Sequence, residues 1–141
     1  MRMLVGSVSV LAGVGLSTVL AQTASVPLLR DGAFSEAQAL RGQELYYSLC
    51  LDCHGDDMSG RDQSPPLAGP QFSGVWSGAS LWSLTERIGT MPPDRPDMLS
   101  RAEAVDLLSY MLWFNGLPLG ESELGADKGM LENVAFEIPE P

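Results

Sequence analysis

Cysteine, histidine and basic residues are all scarce in this chain. Its 141 residues include two cysteines, one histidine and eight lysines and arginines together. A structural zinc site uses four cysteine or histidine ligands, so three such side chains exclude it. Eighteen acidic residues bring the formal net charge to -10 at pH 7. This charge argues against nucleic acid and anionic membrane surfaces as partners, because both repel an acidic protein.

The length and composition predict one folded domain. A chain of this length is long enough to bury a core. Its residues are 45% hydrophobic and 18% charged, which fits neither a disordered tail nor a membrane bundle.

The first residues have the pattern of a signal peptide. Arg2 is followed by an uncharged run from Met3 to Ala21, and small residues lie at its end. We therefore predict a signal peptide over residues 1–21, with export to the periplasm. The alternative is a retained N-terminal anchor, since the run is almost long enough to span a membrane. Contact with a membrane is expected only if the segment is retained.

The two cysteines and the histidine lie together, in the order Cys50-Leu51-Asp52-Cys53-His54. This is the C-x-x-C-H pattern of covalent haem c attachment. Two thiols one helical turn apart can add across the two vinyl groups of a porphyrin, and the adjacent imidazole can bind the iron. A thioredoxin-like redox pair is the alternative, but it would follow a strand. The sequence before Cys50 favours a helix instead, so we predict one haem c bound through Cys50, Cys53 and His54.

Hydrophobic periodicity predicts an all-α fold with three main helices and loops around this haem. The first helix opens at Ser35 and carries the two cysteines, and residues 55–80 are expected to be loops. A short second helix is predicted from Leu81 to near Gly89. A capping box of Ser100 and Glu103 opens the third helix.

These helices give the predicted domain bounds. Asn115-Gly116 ends the third helix. We place a leader at residues 22–34, a haem-binding domain at 35–116 and an acidic C-terminal extension that packs on it at 117–141. Within this extension, Val134, Phe136 and Ile138 alternate as in an extended strand.

The iron also needs an opposite axial ligand, and a second histidine does not exist. Methionine is the usual alternative. Met91 is favoured because Pro92 and Pro93 stiffen the loop that would present its sulfur. Met98 is the second choice, whereas Met58 lies too close in sequence to His54 to reach around the ring and Met111 is better explained by packing. The candidates after the signal peptide are Met58, Met91, Met98, Met111 and Met130.

From about residue 35 to residue 115 the sequence resembles the class I c-type cytochromes. The segments that carry the resemblance, beside C-x-x-C-H, are Gly42-Gln43-Glu44-Leu45-Tyr46, Pro65-Pro66-Leu67-Ala68-Gly69 and Thr90-Met91-Pro92. The resemblance implies the fold of that family and Met91 as axial ligand. It also implies that the Pro65 carbonyl accepts a hydrogen bond from Nδ1–H of His54. Further, it implies that Gly42 allows a close crossing of the first and last helices, against Tyr110.

Other features of the resemblance concern the surroundings of the haem and the partners. Trp76 and Trp82 fall where the family often places aromatics near the haem, although ordinary core packing explains each of them equally well. The segment Asn115-Gly116-Leu117-Pro118, with acidic residues following, resembles small bacterial cytochromes that accompany periplasmic dehydrogenases. Lysine-rimmed cytochromes differ, because Lys128 is the one lysine here.

The expected function is one-electron transfer. With His54 and Met91 both on the iron, no position remains for a substrate, so we expect no catalytic residue. The implied partners are a periplasmic dehydrogenase as donor and an oxidase or another cytochrome as acceptor. Two alternatives remain: a cytochrome subunit fixed in a dehydrogenase complex, or a haem peroxidase or gas sensor with a displaceable methionine.

Overall fold

The computed structural model describes residues 29–138. Within this range the chain is helical, and it contains two isolated β-bridges but no strand. The predicted all-α class is therefore confirmed. The helices are α1 (Glu36–Leu49), α2 (Leu51–His54), α3 (Gly69–Trp76), α4 (Leu81–Gly89), α5 (Arg101–Phe114) and α6 (Lys128–Glu132).

Three of these helices, α1, α4 and α5, are those expected from the sequence, and serine caps begin each of them. The side chains of Ser35 and Ser80 accept hydrogen bonds from backbone N–H groups in the first turns of α1 and α4. At α5, Ser100 and Glu103 form the complete capping box, with each side chain bonded to the other residue's backbone N–H. Such caps satisfy N–H groups that have no partner within the helix.

Helix α3 lies in a segment that the sequence analysis assigned to loops. Its first residues are Gly69 and Pro70, a pair that normally indicates a turn. Proline is nevertheless well suited to the first turn of a helix, because its missing N–H would have no helical partner there. Phe72 in α3 is buried against Phe136, with ring centroids 5.4 Å apart. Tertiary packing of this aromatic pair therefore stabilises a helix that composition does not predict.

The close crossing of α1 and α5 forms the centre of the fold. Gly42 lies at the crossing, where an added Cβ would overlap the carbonyl oxygen of Asp106 and lie 2.9 Å from Cβ of Tyr110. One turn further along α1, the buried Tyr46 ring lies 5.5 Å from the ring of Tyr110. Gly42 thus permits the approach of the two helices that the resemblance implied.

Segments on both sides of the predicted 35–116 domain contribute to the core. Leu29, Ala33 and Phe34 are buried, although we assigned them to the leader. The packed structure therefore begins before residue 35. The predicted signal peptide, residues 1–21, lies outside the described residues. Between residues 29 and 138, no helix is long and apolar enough to cross a membrane.

The C-terminal extension packs on the helices through buried side chains and backbone hydrogen bonds. Phe136 N–H donates to Ala79 O at 2.7 Å, and Leu81 N–H donates to Val134 O at 2.8 Å. The extended form expected for this segment is thus present as one bridge rather than as a strand. The buried side chains of the extension are Leu117, Leu124, Leu131, Val134 and Phe136.

Candidate functional site

The C-x-x-C-H segment lies directly at the end of α1. Cys50 caps this helix with its N–H bonded to Tyr46 O, and α2 follows it as a single turn in which His54 N–H donates to Cys50 O at 2.9 Å. Neither cysteine forms a disulfide; Cys50 is half-buried and Cys53 exposed. This turn brings the two sulfurs and the imidazole to one end of the same helical segment.

The surroundings of Cys50 differ from those of a reactive redox cysteine. Burial, and secondarily the neighbouring Cys53, raises the pKa of the Cys50 thiol to about 11. In redox-active C-x-x-C pairs the pKa of the nucleophilic cysteine is instead lowered, which makes a thiolate available at neutral pH. A helix rather than a strand also precedes the motif. Both observations disfavour the thioredoxin-like alternative.

An apolar cavity of about 510 Å³ opens next to this motif. All five residues proposed for the site line it: Cys50, Cys53, His54, Pro65 and Met91. They come from the α1–α2 junction, from the loop before α3 and from the loop after α4. The structure therefore brings together side chains that are up to 41 positions apart in sequence.

His54 is held in a defined orientation by a backbone carbonyl. Its Nδ1 lies 2.9 Å from Pro65 O. Because a carbonyl can only accept a hydrogen bond, Nδ1 must carry the proton. The lone pair of a neutral ring is then on Nε2, which is the tautomer that a metal-binding imidazole needs.

Two of the five candidate methionines line the cavity, Met91 and Met111. Met111 is buried within α5, and Met91 is half-buried in the loop after α4. Met58 is fully buried without lining the cavity, and Met98, our second choice, is 45% exposed. The two candidate ligands in the cavity are therefore Met91, on a loop, and Met111, on a packed helix.

Helices α3 and α5 supply walls of this cavity. Phe72 and Trp76 of α3 and Leu107 of α5 all line the cavity. Trp76 thus shares a cavity with the C-x-x-C-H segment. Trp82 does not line the cavity. Its ring centroid instead lies 4.9 Å from Arg101 Cζ and 5.3 Å from Lys128 Nζ, in cation–π arrangements.

Arg87 was not predicted from the sequence, and it is the one lysine or arginine among the described residues lining the cavity. It is exposed, and its Nη1 lies 3.4 Å from the hydroxyl of Thr90, the residue before Met91. Helical spacing offered a signal for it: Arg87 lies three residues after Leu84, a cavity residue on the same helix.

Residues 37–111, just over half of the chain, match the model of the family described as cytochrome c oxidase, cbb3-type, subunit III. The chain belongs to this cytochrome c family. Its helical architecture is accordingly the class I cytochrome c fold that the sequence predicted.

Two similar proteins carry dehydrogenase names. The thiosulfate dehydrogenase of Allochromatium vinosum is 33% identical over 85 residues, which cover 55% of this chain and 32% of that protein. The cytochrome thus spans about a third of the length of this relative. The solved sulfane dehydrogenase SoxCD of Paracoccus pantotrophus is 24% identical, with a TM-score of 0.47, over 64% of this chain and 48% of that one.

Haem c is the prosthetic group of c-type cytochromes, and the cavity fits it chemically. Cys50 and Cys53 are free thiols, and the His54 tautomer leaves Nε2 available. The apolar walls suit a macrocycle, and Arg87 at the cavity suits a propionate carboxylate.

Proposed function

We propose that this cytochrome is a one-electron carrier with a single haem c. The observation that carries the proposal is the cavity lined at once by Cys50, Cys53, His54 and Met91. In this proposal Cys50 and Cys53 would hold the haem through thioether bonds, because each S–H can add across one vinyl double bond with no leaving group. His54 Nε2 and the Met91 sulfur would be the protein ligands of the iron.

When bound, the haem supplies an iron that alternates between the ferrous and ferric states. The chain's own residues orient the iron ligand and surround the site with apolar side chains. His54 is restrained at Nδ1 by Pro65 O, so its ring does not have to reorient. The apolar walls exclude water and disfavour the additional charge of the ferric form. With both His54 and Met91 as iron ligands, no coordination position would remain for a substrate, so we assign no catalytic residue.

We further propose that the protein is exported, with residues 1–21 as signal peptide, residues 35–116 as the cytochrome domain and 117–141 as its acidic extension. Its partners would be a periplasmic dehydrogenase as electron donor and an oxidase or another cytochrome as acceptor. The net charge of -10 favours docking surfaces that are basic.

A fixed subunit of a dehydrogenase complex is the second candidate. The observation that favours it is the match to about a third of a protein named thiosulfate dehydrogenase. Purification from the native membrane-free extract separates the two proposals. A carrier elutes alone, whereas a subunit elutes with a larger partner in fixed ratio.

The ligand assignment is tested by visible spectroscopy of the haem-loaded protein. Met91→Ala is expected to remove the iron–thioether charge-transfer band of the ferric protein while the haem stays attached. Met111→Ala is the matched control, because this methionine also lines the cavity. A band that survives in Met91→Ala and disappears in Met111→Ala would reassign the ligand. Absence of covalent haem from the wild-type protein would refute the whole proposal.

Carbon monoxide provides the test against a gas sensor or peroxidase. If His54 and Met91 both bind the iron, the reduced wild-type protein should bind carbon monoxide slowly and incompletely, and Met91→Ala should bind it fast. Equally fast binding by both would show that the methionine position is open.

A further inference from the structure

Asn115, which caps the C-terminus of α5, bridges the end of this helix to the loop before α3. Its Nδ2 donates to Met111 O at 2.8 Å and to Leu67 O at 3.0 Å. Its Oδ1 accepts the N–H of Gly69 at 3.1 Å. Both donors and the acceptor of the amide are therefore used. Two of these three bonds cross to a segment nearly fifty residues away in sequence.

The bridged segment is the one that orients His54. Pro65, whose carbonyl lies 2.9 Å from His54 Nδ1, is two residues before Leu67. The intervening Pro66 has a fixed φ angle, which stiffens this short link. Leu67 is held from its other side as well, since its N–H donates to Met58 O at 2.8 Å. The Pro65 carbonyl is thus presented by a short rigid segment whose anchor on α5 is the Asn115 side chain.

We propose that Asn115 is a positioning residue that holds the Pro65 carbonyl against His54. It does not itself line the cavity, and acts by fixing the Leu67–Gly69 backbone to the end of the helix that carries Met111. The proposal rests on the proposed function, because it requires His54 to be the iron ligand.

This hydrogen bond affects how strongly the His54 imidazole binds the iron. A carbonyl that accepts a hydrogen bond from Nδ1–H raises the basicity of the imidazole and so strengthens its bond to the metal. A more basic ligand favours the ferric state. If the Pro65 carbonyl is released, His54 becomes a weaker donor and the midpoint potential rises.

The chain offers a matched control in Gln38. Its buried side chain also joins distant segments, since Nε2 donates to Leu124 O at 2.9 Å and Oε1 accepts the Leu124 N–H at 2.7 Å. Gln38 does not line the cavity. Gln38→Ala therefore removes an amide bridge of the same kind in the first turn of α1, at the opposite end of this helix from Cys50.

The experiment compares Asn115→Ala, Asn115→Ser and Gln38→Ala as haem-loaded full-length proteins. Serine can keep the bond to Met111 O, one turn earlier, while losing both bonds to the Leu67–Gly69 segment. The measurements are the midpoint potential and, in the diamagnetic reduced protein, solvent exchange of the His54 Nδ1 proton by NMR. Both Asn115 variants are expected to show a higher potential and at least tenfold faster exchange. Gln38→Ala is expected to show neither.

Unchanged potential and exchange in Asn115→Ser would overturn the inference. It would be overturned equally if Gln38→Ala produced the same shifts, because these would then report general loosening. Failure of Asn115→Ala to load haem leaves Asn115→Ser to decide the question. The proposed function fails separately, through absence of the His54 and Met91 ligand resonances from the wild-type spectrum.

Discussion

Replacement of Gly42 by alanine should destabilise the protein, although alanine is the better helix former. In an open helix this change gains about 0.5–1 kcal/mol. At Gly42, however, the new Cβ would overlap the Asp106 carbonyl oxygen and approach Tyr110 Cβ to 2.9 Å. The carbonyl is backbone and cannot rotate away, so α1 and α5 must separate. Overpacking of this kind costs about 1–3 kcal/mol and occasionally more.

Because the overlap at Gly42 is with backbone, we place its overpacking cost at the upper end of that range. The expected net loss is then about 2 kcal/mol in the free energy of unfolding. Gly74→Ala is the control, since Gly74 also lies within a helix, α3, but has nothing within 4 Å of an added Cβ. It should be neutral or stabilising by up to about 1 kcal/mol. The two variants are therefore expected to change stability in opposite directions.

Guanidinium unfolding of the haem-loaded proteins, followed by circular dichroism and haem absorbance, measures both values. A Gly42→Ala protein as stable as the wild type would show that the crossing can relax at no cost. The reasoning would fail equally if Gly74→Ala lost as much stability as Gly42→Ala.

Three further predictions concern a cap, the core and the cavity. Ser100→Ala should lose about 1 kcal/mol of stability at pH 7. Hydrogen bonds from Ser100 lower the pKa of Glu103. Their contribution to stability is therefore present above the ordinary glutamate pKa and is lost as the pH falls through the lowered pKa of Glu103. Urea unfolding at two pH values should accordingly show that Ser100→Ala loses less stability in acid than at pH 7. Phe136→Ala should cost about 3–5 kcal/mol by calorimetry, and a small loss would mean that the extension does not stabilise the core. Arg87→Gln should lower the midpoint potential in a redox titration, because removal of a nearby positive charge favours the ferric state. Arg95→Gln, outside the cavity lining, should change it less, and equal shifts would remove Arg87 from the site.

Local sequence patterns were sufficient wherever a residue acts through its immediate neighbours. The Ser100–Glu103 box predicted the start of α5 because a cap is made within one helical turn. The order Cys50-x-x-Cys53-His54 predicted a shared site for the same reason, since one helical turn brings these side chains together. Helix periodicity likewise predicted α1, α4 and α5.

Patterns failed where a segment takes its structure from distant partners. The segment of α3 contains glycine, proline and serine and has little helical signal of its own, yet Phe72 packs on Phe136 from the C-terminal extension. Trp82 is a second example. The resemblance left open whether it lies near the haem or packs in the core; in the structure it does not line the cavity, and the cations of Arg101 and Lys128, from two other helices, lie against its ring.

The sequence by itself determined the helical class, the C-x-x-C-H segment and the short set of candidate methionines. Only the tertiary structure decided which of these methionines share a cavity with His54, and that Pro65 O lies within hydrogen-bond distance of its Nδ1. It also decided that Arg87 lines the cavity and that Asn115 anchors the segment carrying Pro65. The physical reason is that caps and helical turns depend on residues three or four positions apart. A cavity depends on the packing of separate helices, which a local sequence pattern does not predict.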